Sequence, residues 1–464
     1  MKFWNEENLK EALQTTKSYN FPENWEADGM VIWQGNFLPG NMVLAKNDGD
    51  PKGILLENFP DVVSQCSAIL AVNPAKYFKY NKPIIELNGN NGDAIIKMAR
   101  YIRKAFNGKV IGVTGSSGKS TTTQILMNIL SSKYKTDSNI ESKANTTWGL
   151  SWNMTRFDVN DDYWVIETSL GGGMSRNTAI VKPDYAIITN VAPVHLTNGM
   201  GLEDIAEEKS KIFHSMKEGA TAIIYSGMMY EKTAENTAKF KGLKVLKFGE
   251  NEDDNIRIIT ENGENKFIID GKTYVLNNEP VGKHILLDMA AALCVIKEEN
   301  FDIETALEIL RGFKSLEGRG EEFEVSIENK TFTVTDEAYN ANPLSMTAAI
   351  TAFGKKNSSK NKIIILGDMA ECGPESERYH KELYTPIKQI NPKKVLLCGT
   401  EIKALYDVMV EAQEFEVKYY PNVGILTNNI LSEIENGDCI LVKSSHSGNL
   451  HRLVDKFKSM AEGI

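Results

Sequence analysis

The chain has 464 residues, 42% of them hydrophobic and 25% charged, with a formal net charge of −10. At about 100–200 residues per domain, this length accommodates two to four domains, with three the central value and apolar residues enough for a core in each. The acidic balance excludes a general nucleic-acid or anionic-membrane binder, but not a nucleotide, which needs only local donors.

The first part of the chain, up to residue 106, reads as a small mixed domain. Residues 5–16 have helical spacing, short apolar runs follow at 42–45 and 68–72, and Leu38-Pro39-Gly40-Asn41 is a turn between them. A helix over 98–106 ends at Asn107-Gly108. Then the texture changes. An apolar strand at 109–114 runs into glycine and serine, and a helix is predicted over 119–133. Buried strands are predicted at 163–167, 185–190 and 220–225, with an amphipathic helix at 202–216 between the last two. Residues 266–276 read as a hairpin around Asp270-Gly271, followed by helices at 281–298 and 303–313.

Gly318-Arg319-Gly320 breaks the pattern and marks a hinge. Beyond it, strands at 331–335, 362–366, 394–398 and 439–442 alternate with helices at 345–353, 377–389, 403–412 and 449–460. This alternation predicts a second parallel α/β sheet. The fold class is therefore α/β, in three domains over 1–106, 107–315 and 316–464.

The central motif is Thr114-Gly115-Ser116-Ser117-Gly118-Lys119-Ser120-Thr121. Glycines let the backbone approach phosphate, and the helix that follows offers its first N–H groups to the same anion. Lys119 can reach the β- and γ-phosphates of ATP, and the Ser120 hydroxyl can ligate Mg²⁺. The strict G-x-x-x-x-G-K-[ST] spacing is not met, because Val113 stands at its first glycine. By itself the loop does not separate a kinase, a GTPase and a ligase. An Asn-Lys-x-Asp guanine-reading motif and an arginine-rich lid are both missing, which disfavours the first two.

Further phrases carry a resemblance. They are 113–122 around the loop, Ile187-Ile188-Thr189-Asn190-Val191 with His195, and Ala206-Glu207-Glu208-Lys209. After the hinge come Asp336-Glu337-Ala338-Tyr339-Asn340-Ala341-Asn342-Pro343 and Leu366-Gly367-Asp368-Met369-Ala370-Glu371 with His380. In this order and spacing the chain resembles the Mur ligases. The resemblance implies an N-terminal acceptor-substrate domain, a central P-loop ATPase-type domain and a C-terminal Rossmann-like domain. It also implies an ATP-dependent, ADP-forming ligase that joins a small-molecule carboxylate to an amine through an acyl phosphate, working as a monomer. The family pattern assigns Glu167, His195 and Ser120 to magnesium, and Lys209 to a carbamate that acts as a further metal ligand. It places Asp288, Asp336, Tyr339 and Asn340 around the adenosine, and Arg319 near the phosphates. Asp368 and His380 match the pattern without an assignable chemistry, and helix capping or packing fits them equally well.

The substrate side departs from that pattern. Trp33-Gln34-Gly35 stands where the family carries Asp-Ser-Arg before its Pro-Gly turn, and a downstream Asp-Gly-His phrase is missing. Gly171-Gly172-Gly173-Met174-Ser175-Arg176 replaces Asn-His and Gly-Glu-Ile elements, and an Asn-rich segment shrinks to Asn145-Thr146-Thr147. Lys443-Ser444-Ser445-His446 replaces Lys-Gly-Ser-Arg, His451 replaces a glutamate, and Asp288 stands at an adenine-contacting asparagine. The expectation is a divergent Mur-like amide ligase with a non-standard substrate. A conventional peptidoglycan-building member and a non-catalytic nucleotide-binding relative are the alternatives. Five scattered cysteines, no signal-like apolar start and no apolar run of membrane-span length complete the expectation of a cytoplasmic protein.

Overall fold

The computed structural model describes residues 3–192, 201–261, 263–277, 281–314, 317–327 and 329–461. Three sheets carry most of the chain. The first has five short strands in the order Ser18–Tyr19, Ile84–Glu86, Ala68–Ala71, Met42–Leu44 and Met30–Val31, parallel except for the first pair. Helix Asn91–Ala105 packs beside it and starts well before the predicted residue 98. The Asn90 side chain accepts from the Asp93 amide and so supplies the N-cap.

The second sheet has nine strands. Their order is Lys272–Asn277, Glu264–Ile269, Ile256–Glu261, Lys244–Gly249, Thr221–Tyr225, Tyr185–Ile188, Lys109–Thr114, Tyr163–Glu167, Thr136–Ser138. The run from Ile256–Glu261 to Thr136–Ser138 is parallel, and the two strands at the other edge are antiparallel. Their hairpin turns at Asp270 and Gly271 with φ of 50° and 75°, the left-handed pair that a two-residue turn needs. Helix Lys283–Glu298 is apolar nearly all round and is buried accordingly, against helix Lys119–Leu130 and the sheet.

The third sheet has six strands in the order Glu321–Ile327, Lys330–Glu337, Cys439–Lys443, Lys362–Gly367, Lys394–Cys398, Glu416–Tyr420, all parallel but the first pair. Strands Glu321–Ile327 and Glu416–Tyr420 and helix Val423–Glu433 lie outside the predicted set. Both strands are sheet edges with exposed positions, so neither shows the continuous apolar run of a central parallel strand. The single helix predicted over 377–389 is two, Ser376–Glu382 and Tyr384–Ile390. Pro386 has no N–H to give to the Glu382 carbonyl, and the helix breaks there. The helix predicted over 202–216 ends at Ser210 and tightens into a 3₁₀ turn, Lys211–Phe213.

Candidate ATP-binding and ligase site

The site follows from the order of the parallel strands. Lys109–Thr114 lies between Tyr185–Ile188 and Tyr163–Glu167, with Glu167 opposite Val113 and Ile188 opposite Thr114. The carboxyl ends of three strands therefore deliver the glycine loop, Glu167 and the Thr189-Asn190 pair to one edge, the place where α/β sheets take ligands.

Crowding explains both loop glycines. A Cβ at Gly115 would fall 1.8 Å from Thr189 Oγ1, and one at Gly118, whose φ is +79°, would fall 2.2 Å from Asp288 Oδ1. The loop is braced from behind. Asn190 Oδ1 accepts from the Ser116 and Ser117 amides at 3.1 and 2.9 Å, and its Nδ2 donates to Ser117 Oγ at 2.7 Å. Ser116 Oγ exchanges hydrogen bonds with the Ala192 backbone. These two amides are thus held inward. The donors left to an anion are those of Gly118, Lys119, Ser120 and Thr121, the first groups of a helix, which have no intrahelical acceptor. Lys119 bends over the loop and donates to Gly115 O at 2.9 Å. Burial pushes its ammonium pKa down, with Glu167 opposing that shift.

Glu167 is fixed on four sides. Its Oε2 accepts from Ser120 Oγ at 2.5 Å and its Oε1 from Asn145 Nδ2 at 2.7 Å. Its backbone is clamped by Asn139, which accepts from the Glu167 amide at 2.8 Å and donates to the Glu167 carbonyl at 2.9 Å. A hydroxyl and a carboxylate beside a phosphate cradle are hard oxygen donors that suit Mg²⁺, which takes one or two carboxylates and completes its shell with phosphate oxygens and water. Among the described residues, no three His, Cys, Asp or Glu side chains gather into a self-sufficient metal cage. His195 lies outside the described residues.

Lys209, on helix Leu202–Ser210, is only 2% exposed. Its Nζ has no hydrogen bond or ion pair among the described residues. Burial drives its ammonium pKa well below the usual lysine range, and the nearby Lys119 charge adds to that. A lysine held neutral is a nucleophilic amine, the form that takes up CO₂. Asp288, beneath Gly118, accepts from Thr122 Oγ1 at 3.2 Å. Burial pushes its carboxyl pKa well up, against that hydrogen bond and the Arg319 and Lys119 charges.

From the C-terminal side, Arg319 stacks its guanidinium 4.3 Å from the Tyr339 ring, with Lys143 Nζ 5.0 Å from the same ring. Asp336 and Asn340 are engaged locally. Asp336 accepts from the Gly318 and Ala338 amides at 2.8 and 3.0 Å, so it anchors the hinge, and Asn340 Oδ1 accepts from the Ala341 amide at 2.9 Å. Lys443 donates to Asn340 O at 2.9 Å and pairs with Glu337 at 3.2 Å. Asp368 caps Thr400 and Ile402, and buried His380 accepts from the Met369 amide at 3.0 Å. Both therefore hold structure.

Sequence reasoning did not single out Asn139 or Asn190 for a role. The one available signal was an asparagine shortly past each of two strands, Tyr185–Ile188 beside the loop strand and Thr136–Ser138 beside the Glu167 strand.

Residues 113–296 match the Mur ligase middle domain and 319–446 match the Mur ligase glutamate ligase domain, together most of the chain. A UDP-N-acetylmuramoyl-tripeptide–D-alanyl-D-alanine ligase of Rickettsia prowazekii is 29% identical over 84% of this chain and 87% of its own length. The Bacillus subtilis protein of that name is 27% identical over 78% of each. Among solved structures, MurF from Acinetobacter baumannii superposes with a TM-score of 0.81 at 21% identity, covering 98% of both chains. MurF ligase from Thermotoga maritima in complex with ADP gives 0.73 at 21% identity over 94% of this chain and 98% of that one. With two family models, relatives matched over more than three quarters of their length and a shared three-domain architecture in agreement, the chain belongs to the Mur ligase family of ATP-dependent, ADP-forming ligases.

Proposed function

We propose that this chain activates a carboxylate with ATP and joins it to an amine, and that its acid substrate differs from the UDP-sugar peptide named for its relatives. A carboxylate is a poor electrophile because its oxygen leaves badly. Transfer of the γ-phosphoryl group to that oxygen releases ADP and gives an acyl phosphate. The amine attacks the acyl carbon, loses a proton, and phosphate departs with the C–O bond that breaks.

The observation that carries the reading is the convergence beside the loop of Lys119, the Ser120–Glu167 pair and buried Lys209, which feels the Lys119 charge and has no partner among the described residues. In this reading the helix amides from Gly118 to Thr121 and the Lys119 ammonium hold the phosphates and offset charge during transfer. Ser120 and Glu167, with His195 and a carbamate on Lys209, hold magnesium, which supplies charge neutralisation at the transferring group. Asp288, Tyr339 and Asn340 face the nucleoside, Asp336 fixes the hinge, and Arg319 approaches the phosphates. In the same reading the domains span 1–106, 107–315 and 316–464.

The different acid substrate is supported by the N-terminal sheet. Before the Pro39-Gly40 turn it offers Trp33, 57% exposed, with its ring folded against Gly35, and no ionised side chain from residue 33 to 38. The second reading, a ligase for UDP-N-acetylmuramoyl-tripeptide and D-alanyl-D-alanine, is favoured by the match to relatives of that name over 78–87% of their length. A cytoplasmic monomer completes the proposal, supported by five cysteines that are all buried and free. No described helix is long and apolar enough to cross a membrane.

ADP release decides. It is expected to require an acid and an amine together and to be faster with other acid–amine pairs than with the muramoyl tripeptide and D-alanyl-D-alanine. Tight binding and full turnover of that pair would establish the second reading instead.

A further inference from the structure

Asn139 follows strand Thr136–Ser138 at the edge of the nine-stranded sheet and is only 2% exposed. That strand runs parallel to Tyr163–Glu167, with Ser138 opposite Val165. Continued in the same register, it would set Ile140 opposite Glu167, and its main chain would satisfy the Glu167 backbone. The main chain instead turns away after Ser138, and the Asn139 side chain takes its place. The carboxamide accepts from the Glu167 amide at 2.8 Å and donates to the Glu167 carbonyl at 2.9 Å. It replaces a strand residue because, like a peptide group, it presents one acceptor and a donor in one plane.

The replacement frees residues 139–145 to fold back. Ser142 Oγ donates to the Asn139 carbonyl at 3.0 Å and accepts from Asn153 Nδ2 at 2.8 Å. The Lys143 amide donates to the Ile140 carbonyl at 3.1 Å, and Lys143 takes the left-handed φ of 54° that reverses the chain. Asn139 Nδ2 also donates to the Ala144 carbonyl at 3.2 Å, so the same side chain holds the returning end of the loop. Asn145 then lies where its Nδ2 reaches Glu167 Oε1 at 2.7 Å, and its carbonyl accepts from the Ser169 amide at 3.0 Å. An uninterrupted strand, at about 3.3 Å per residue, would carry residue 145 about 16 Å past Glu167.

Resting on the ligase reading, we propose that Asn139 and Asn145 are paired positioning residues for the magnesium-side carboxylate of Glu167. Through the Glu167 backbone, Asn139 fixes where the side chain starts. Through the Ala144 carbonyl it places Asn145, which fixes where the carboxylate ends. Mg²⁺ demands near-octahedral geometry at about 2.0–2.1 Å, so a carboxylate free to swing holds it more weakly. The nucleotide is held by the helix amides from Gly118 to Thr121 and by Lys119, whereas the side-chain hydrogen bonds of Asn139 run to Glu167 and Ala144. The pair therefore acts on metal affinity and leaves metal-free nucleotide affinity alone.

The test uses the full chain, with Mn²⁺ as the paramagnetic probe for the magnesium position. Mn²⁺ is titrated into the complex with a non-hydrolysable ATP analogue and followed by electron paramagnetic resonance. The parent is compared with Asn139→Leu, Asn145→Ala, Glu167→Gln and the double variant Asn139→Leu/Glu167→Gln. Affinity for the analogue is also measured without metal, in the presence of a chelator, and thermal unfolding reports folding. Asn139→Leu and Asn145→Ala are each expected to weaken Mn²⁺ binding about tenfold, with metal-free nucleotide affinity within about twofold of the parent. Once Glu167 is replaced, Asn139→Leu is expected to add nothing. Parental Mn²⁺ affinity in Asn139→Leu, a further loss in the double variant, or an equal loss of metal-free nucleotide affinity overturns the proposal. Parental Mn²⁺ affinity in Glu167→Gln overturns it as well. Should Asn139→Leu fail to fold, Asn145→Ala decides, and parental Mn²⁺ affinity in that variant overturns the pair. ADP release by the parent from a panel of acids and amines is scored separately. Its absence removes the ligase reading, whatever the metal titrations show.

Discussion

Ser120 Oγ donates to Glu167 Oε2 across 2.5 Å, which ties the first turn of the loop helix to the end of the neighbouring strand. The bond exists because the parallel register sets Glu167 opposite Val113, immediately before the loop. It also keeps two oxygen donors together where magnesium would meet the phosphates. Glu167→Gln retains the shape and removes the charge. The expected outcome is a fall in ADP release by about 10²–10³-fold, with a higher magnesium concentration needed for half-maximal rate. Chelation of divalent ions abolishes release in the parent protein. A magnesium requirement identical in both proteins would take Glu167 out of metal binding.

Lys119→Ala removes the only loop ammonium. Charge stabilisation of the transferring phosphoryl group is lost, and ADP release is expected to drop about 10³-fold. Circular dichroism and unfolding temperature stay close to parental values, because the hydrogen bond that is lost, to Gly115 O, lies within the loop itself. Unchanged ADP production would remove the loop from the mechanism.

Lys209 sets function against stability. Its folded-state pKa lies below the unfolded value of about 10.4. The unfolded chain therefore binds the extra proton, and stability declines as pH falls from that value toward the folded-state pKa. Lys209→Met is expected to raise stability near neutral pH by about 1–2 kcal/mol and to abolish ADP release. Partial recovery of Lys209→Ala by added acetate, a carboxylate that can stand in for a carbamate, would show what the side chain supplies. Undiminished turnover in Lys209→Met would remove the carbamate from the scheme.

Asp288 behaves in the opposite sense. Burial raises its folded-state pKa above the unfolded value of about 3.9, so its contribution is full in acid and is lost as pH rises between those two values. A neutral Asp288 presents an O–H and a carbonyl oxygen, much as an asparagine presents N–H and oxygen. Asp288→Asn is expected to keep the ATP KM within about twofold at neutral pH and to unfold at a higher temperature there, the gain shrinking toward pH 4. A large rise in ATP KM would show that the ionised carboxylate is needed.

Asn190 carries the loop. Asn190→Ala leaves the Ser117 amide without its acceptor, while the Ser116 amide keeps the Asn190 carbonyl. At about 1–3 kcal/mol for an unsatisfied buried donor, lower thermal stability and a raised ATP KM are expected together. Loss of stability with an unaltered ATP KM would confine Asn190 to a packing role.

What the residues alone determined is what short-range chemistry encodes. Glycine, lysine and serine between an apolar strand and a helix announce a phosphate loop, because the backbone needs those residues at those positions. The alternation of strands and helices dictates parallel sheets, and motif order identifies the family. Even the Asp270-Gly271 turn was legible, since few residues accept positive φ in succession.

Only the tertiary structure decided the rest. The loop's brace, the Glu167 clamp and the burial of Lys209 near Lys119 join residues far apart in the chain. A lysine in a charged helical phrase looks solvated until its helix is packed, and an asparagine after a strand looks like any turn residue. Desolvation and side-chain hydrogen bonding act through distance in space, which the linear order of residues does not record.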